Sequence, residues 1–274
     1  MSLLSFKRWI AKKTLGNYTF RFFYSGLIQF FQVLCLPWHW FHFIRDTVHY
    51  QSKLEGNTPF KVHALDLYPC FLDKYQAAGQ ASGHYFHQDI FMAQQIYKAN
   101  PGEHWDIGSR IDGFISNLLT FRKVNIIDIR ALESKVPEMM FHQGDVTCLN
   151  YPDNYFESLS CLHAMEHVGL GRYGDTIDPE GCYKGMTELS RTLKPGGTLY
   201  FSVPIGKERV VFNAHRVFNP KTIIERFAAL DLVYFAAVND EGNMVNPAHW
   251  QNFVDSQYSC GLFIYKKPDI KKEP

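Results

Sequence analysis

From His104 onward the chain alternates short apolar runs with helical stretches, and the apolar runs end in acidic or glycine turns. That pattern restricts the fold to an open, mostly parallel α/β sheet with its loops gathered at one edge. The first run closes in HWDIGSRIDGF, with Asp106 and Gly108 at its end; the second, FRKVNIIDIR, ends at Asp128; the third, FHQGDVTCL, ends at Gly144 and Asp145. YPDNYFESLSCLHAMEHV supplies a fourth strand running into a helix, and LSRTLKPGGTLYFSVP a helix, a Pro-Gly-Gly turn and a fifth strand. KTIIERFAAL reads as a further helix, and DLVYFAAV and YSCGLFIYKK as closing strands. A glycine after the first strand lets backbone approach a ligand, and an acidic side chain about twenty residues later can take two ribose hydroxyls.

These motifs, in this order from Tyr85 to Lys266, resemble the class I S-adenosylmethionine-dependent methyltransferases. Within that superfamily the stretches GHYFHQDIFMAQQI, DIGSRIDGF, LHAMEHVGLGRYGD and FNAHRVFNP are similar to an uncharacterised methyltransferase-like family known only as a domain of unknown function. The resemblance implies a Rossmann-like, seven-stranded, mostly parallel sheet with an antiparallel edge strand. It also implies S-adenosyl-L-methionine as cofactor, held by Asp106, Gly108, Ser109, Arg110, Asp128, Ile129, Asp145, Val146 and Leu162. Asp128 would take the ribose hydroxyls and Asp145 the adenine amino group. One departure stands out. Arg110 and Asp112 occupy positions where the family loop carries its second and third glycines, so Arg110 either clamps the methionine carboxylate or blocks the pocket.

Methyl transfer from a sulfonium needs alignment and, for a hydroxyl acceptor, removal of a proton. His163, at the end of the fourth strand, is the expected base, since histidine titrates near neutrality. Glu166 and His167 follow one helical turn along, and His215 is a second candidate base. Arg172, Tyr173, Asp175 and Arg216 are expected to meet a small polar acceptor such as a sugar or glycan precursor. Three other readings stay open: an enzyme acting on a nucleotide-linked sugar, a non-catalytic binding domain, and a zinc hydrolase, because HAMEH matches HxxEH with His163 and His167 as ligands. No metal is expected on the favoured reading.

Residues 1–58 read as a basic, aromatic-rich helical extension and 59–274 as the methyltransferase-like catalytic domain. The first 45 residues carry six basic side chains and no acidic one, which leaves 22 basic against 27 acidic for the rest. A mildly acidic body gives no footprint for nucleic acid. Phe20 to Leu36 is nearly continuous apolar sequence with one narrow polar stripe, which Pro37 should end or kink, and WHWFHFIR follows. This segment, 20–45, reads either as a packed helix or as a peripheral contact at the inner membrane face. Six cysteines without a CxxC pair fit a reducing, cytoplasmic setting, with Cys161 a small core residue.

Overall fold

The computed structural model describes residues 35–71, 73–75, 78–79 and 81–269. The chain divides into two compact units at Gln80–Ala81. The apolar helix expected from Phe20 lies, up to residue 34, outside the described residues. In the first unit α1 spans Leu36–Ser52. Pro37 stands in the first turn of this helix, where a proline gives up an amide that has no intrahelical partner anyway. No residue of α1 is buried, and Trp38, Trp40, Phe41, Ile44 and Val48 are exposed. Among the described residues no helix is long and apolar enough to cross a membrane.

The second unit opens with α2, His84–Ala99. Its buried residues Gln88, Phe91, Met92 and Ile96 recur at helical spacing, so one face is turned into a core. Asn100, in the left-handed conformation, ends the helix by donating its N–H to Ile96 O, and Pro101 follows. The strands are β1 (Trp105–Ile107), β2 (Val124–Asp128), β3 (Met139–Gln143), β4 (Phe156–Leu162), β5 (Leu193–Ile205), β6 (Arg209–Val211), β7 (His215–Val217), β8 (Asp231–Val238), β9 (Met244–Val245) and β10 (Ser259–Lys266). Eight of them form one sheet in the order β3-β2-β1-β4-β5-β10-β8-β9. β1 to β5 run parallel, and β10 lies antiparallel between β5 and β8. The seven expected strands are all present, with two-residue β9 added at the edge. β6 and β7 form a separate hairpin.

Apolar side chains cover both faces of this sheet, so its central strands are buried along most of their length. One layer joins Phe91, Met92, Ile96, Phe114 and Leu118 to Ile126, Leu162 and Leu262. The other joins Met186, Leu189, Phe201, Phe227 and Phe263, and includes Cys161. Between β1 and β2 the chain makes a π-helical turn, Ile111–Ile115, and then a single α-turn, α3 (Ser116–Leu119). Gly113 belongs in that turn because a Cβ there would collide with a carboxylate oxygen of buried Asp89.

The expected helix straight after β4 does not form. Residues 163–173 are a series of turns, and α4 begins only at Gly181 and runs to Thr192. Gly169, Gly171 and Gly174 have positive φ, and a Cβ on Gly169 would collide with Asp178 O. The glycines therefore fold this stretch into a closed loop. The last helix, α5 (Pro220–Arg226), is capped by the Asn219 side chain, which accepts from Lys221 N.

Candidate functional site

The strand order reverses between β1 and β4, and at the carboxyl ends of these strands lies a cavity of about 350 Å³. A crevice at this switch point is where ligands enter open α/β sheets. Gly108, Ser109, Arg110, Asp128, Ile129, Asp145 and Val146 line it, and so do His163, His167, Tyr173 and Asp175. Five parallel strands reversing beside this cavity, followed by an antiparallel strand inserted before the edge, decide the architecture. The chain has the class I methyltransferase fold.

A family model described as a Caenorhabditis protein of unknown function, DUF268, matches residues 119–249. No curated protein matches the chain. Among solved structures, the cyclase SpnF is similar at 14% identity and TM-score 0.48, over 66% of this chain and 82% of that one. YcgJ of Bacillus subtilis is similar at 16% identity and TM-score 0.47, over 67% of this chain and 99% of that one. The N-methyltransferase NodS of Bradyrhizobium japonicum, in complex with S-adenosyl-L-homocysteine, is similar at 13% identity and TM-score 0.46, over 73% of this chain and 92% of that one.

In this methyltransferase fold the loop after β1 is held from below. Asp106 is fully buried and does not line the cavity. It accepts from Ser109 N at 3.0 Å, Ser109 Oγ at 2.5 Å and Ser160 Oγ at 2.5 Å. Ser109 Oγ accepts in turn from Leu162 N, so Leu162 also serves the loop from beneath and does not line the cavity. Burial pushes the Asp106 carboxyl up to about 6 against these bonds. Because Ser160 Oγ donates to Asp106, it accepts from His104 Nε2 at 3.0 Å, and Ser158 Oγ donates to His104 Nδ1 at 2.8 Å. Burial pulls His104 down to about 3, so the folded protein keeps it neutral.

An unfolded chain protonates His104 near its ordinary value of 6.5, so unfolding takes up a proton between that pH and about 3. Stability present above pH 6.5 is therefore lost as the pH falls toward 3, by on the order of 5 kcal/mol. Asp106 acts in the opposite sense, contributing fully below its ordinary value and losing that contribution as the pH rises through about 6. Denaturant melts of wild type and His104→Gln across this range isolate the histidine: the variant is expected to show the shallower acid decline. Equal slopes would mean that His104 is not the acid-labile group.

Above the loop, Gly108 has φ +70, and a Cβ on it would meet the Ala164 Cβ at 3.0 Å. Arg110 does not fill the cavity. Its guanidinium is exposed, forks onto Asp112 at 2.9 and 3.1 Å, and stacks over Tyr85 at 4.6 Å. Asp128 is more occupied than the sequence suggests: it accepts from Arg130 N at 2.9 Å, Nε at 3.0 Å and Nη2 at 2.8 Å. Arg130 also lies over the Tyr173 ring at 4.5 Å. Asp145 caps the turn that follows β3, accepting from Thr147 N and Oγ1 at 2.8 Å. Glycines and carboxylates stand in the expected order along one wall, and no side chain replaces the Gly108 opening; the residues fit an adenosine-type cofactor.

The opposite wall comes from the turns after β4. His163 has φ +50, and its Nδ1 lies 2.6 Å from Glu166 Oε1. Its ring packs against His84 at 5.2 Å and Tyr85 at 5.0 Å, leaving the side chain 2% exposed. Burial opposes the charged form of both members of this pair; Cys260 and Glu166 nevertheless raise His163 well above its ordinary value, and His163 lowers Glu166. His167 Nδ1 donates to Ala214 O at 2.7 Å, which leaves Nε2 as the lone-pair nitrogen, 3.7 Å from Glu166 Oε1. Burial lowers its pKa.

Several expected acceptor contacts have other work. Arg172 donates to Ala214 O, and Arg216 to Val168 O and Pro179 O, so both guanidinium groups staple loops together and neither lines the cavity. Asp175 lines it, yet accepts from the amides of Gly169, Gly171 and Tyr173 and so shapes the loop. His215 packs tilted against Tyr258 at 5.1 Å, away from the cavity lining, with burial lowering its pKa. Glu166 is buried and reaches the cavity only through the histidines. Tyr85 and Arg130 are cavity residues the sequence reading missed; Tyr85 lies inside the family-like stretch GHYFHQDIFMAQQI.

Proposed function

We propose that the chain is an S-adenosylmethionine-dependent methyltransferase acting on an oxygen of a small polar acceptor, such as a sugar or glycan precursor. The observation that carries this reading is one cavity with Gly108, Asp128 and Asp145 on one wall and a neutral histidine, His167, on the other. Gly108 gives the cofactor backbone to lie against, Asp128 offers acceptors to ribose hydroxyls, and Asp145 offers one to the adenine amino group. When bound, the cofactor supplies a methyl group on sulfur that is already activated for displacement. His167 Nε2 takes the acceptor proton, and its Nδ1–H bond to Ala214 O fixes the tautomer that can do so. Tyr173, against Arg130 and at right angles to His167, covers the acceptor side. Calorimetry with S-adenosylmethionine, followed by transfer of a labelled methyl group to a panel of sugars, tests the reading. No binding at millimolar cofactor would remove it.

For residues 20–45 we propose a peripheral contact with an anionic membrane surface, in a cytoplasmic protein. Its support is the basic excess of the first 45 residues and the exposed Trp38, Trp40, Phe41 and Ile44 of α1. The full chain is expected to float with anionic vesicles, less so at high salt, and to stay behind once 20–45 are deleted. Full-length protein that remains wholly in the supernatant would refute the contact.

A further inference from the structure

Behind the His163 side of the cavity three potential metal ligands converge from three elements. His84 begins α2, His163 follows the end of β4, and Cys260 lies near the start of β10. One ligand atom from each lies within 4.8 Å of the others. Cys260 is fully buried and the His163 side chain nearly so. These residues are far apart in sequence and share no motif. The geometry points to a binding site for one divalent transition metal of the zinc class, held by His84, His163 and Cys260 with a fourth position open to an exogenous donor.

The hydrogen bonding around the three residues is what a metal site needs. His163 Nε2 is buried and has no hydrogen-bond partner, although buried polar atoms are ordinarily paired. The other nitrogen, Nδ1, is held at 2.6 Å by the Glu166 carboxylate, the arrangement that fixes the ring of a metal-ligating histidine. His84 repeats the pattern with a carbonyl: its Nε2 donates to Tyr258 O at 3.1 Å, which leaves Nδ1 for a ligand bond. The Cys260 sulfur makes long contacts, 3.7 Å to Gln88 Oε1 and 3.8 Å to Gly261 O, and interacts with the His163 side chain. With Zn–N near 2.1 Å and tetrahedral angles, two imidazole centroids on one ion stand about 5 Å apart. Those of His84 and His163 stand 5.2 Å apart.

Donor chemistry narrows the metal. Two imidazoles and a thiolate suit zinc and its neighbours and reject magnesium and calcium, which require oxygen ligands. Three protein ligands with one open position is the pattern of sites that bind an exogenous molecule, whereas purely structural zinc sites close with four. This assignment differs from the HxxEH reading of HAMEH. There His167 would be a ligand; here His167 Nδ1 is committed to Ala214 O and the residue is not one of the three.

The test uses the full chain, freed of metal, equilibrated with Zn²⁺ or Co²⁺ and passed through gel filtration before elemental analysis. One ion per chain is expected, with a thiolate-to-metal charge-transfer band in the cobalt form. Cys260→Ala should lose that band, and Cys260→Ala and His84→Ala should each weaken binding at least tenfold. His167→Ala should retain the ion. Wild type that keeps no metal, or a cobalt form without the thiolate band, would overturn the site, and so would undiminished binding in folded Cys260→Ala. Circular dichroism reports whether each variant folds; should Cys260→Ala fail to fold, the wild-type cobalt spectrum alone decides. None of these readouts depends on methyl transfer, so failure of the metal site and failure of the methyltransferase reading remain separate results.

Discussion

His167→Ala is expected to slow methyl transfer by about 10²–10⁴-fold in single turnover while leaving S-adenosylmethionine affinity nearly unchanged. That split follows when a residue acts only as the acceptor loses its proton. His167 lines the cavity, its tautomer is fixed by Ala214 O, and burial lowers its pKa, so the base form persists to lower pH than in an ordinary histidine. The acid limb of the rate profile should accordingly fall below pH 6.5, the ordinary value. The sequence favours His163 for this task because it sits at the end of β4. In the fold, however, its ring is packed between His84 and Tyr85 with Nδ1 held by Glu166, an arrangement that fixes a side chain in place. His163→Ala is therefore expected to disturb the His84–Cys260 cluster and the turn above it. Full activity in His167→Ala, with a large loss in a folded His163→Ala, would return the base to the strand end.

What the sequence discloses and what it hides follow from the range of the interactions involved. Apolar runs bounded by turn residues are local, so β1 to β5, β8 and β10 are readable one at a time. The acidic strand ends are readable too, because Asp128 ends β2 and Asp145 follows β3 by two residues as the cap of the next turn. The turns after β4 are a different case. HAMEHV has good helix formers, but the chain obeys Gly169, Gly171 and Gly174 downstream, whose left-handed backbone closes the loop on Asp178. Arg172 and Arg216 look like acceptor contacts because arginines in polar loops often are. Each instead satisfies carbonyls of another loop, at Ala214 and Val168, a pairing visible only after folding. The His84–His163–Cys260 cluster is the extreme case, since only the fold brings the start of α2, the end of β4 and the start of β10 together.

Asp128→Ala is expected to weaken S-adenosylmethionine binding by roughly tenfold to a hundredfold, the scale of about 1–3 kcal/mol for stranding buried polar partners. The Arg130 fork adds a second, opposite expectation. A carboxylate has about four lone-pair positions, and Asp128 already accepts three hydrogen bonds from Arg130. Two ribose hydroxyls therefore cannot both be received until at least one Arg130 bond is exchanged. The pair is partly exposed, with side chains 53% and 17% accessible, so opening it should cost no more than about 1 kcal/mol. Arg130→Ala removes that cost and should bind the cofactor up to several-fold more tightly, whereas Asp128→Ala binds more weakly and the double variant follows Asp128→Ala. Isothermal titration of the three variants against wild type measures the ordering. If Arg130→Ala weakens binding as much as Asp128→Ala does, the guanidinium is itself a ligand contact; if Asp128→Ala binds like wild type, the ribose hydroxyls are held elsewhere and the cofactor assignment for this wall fails.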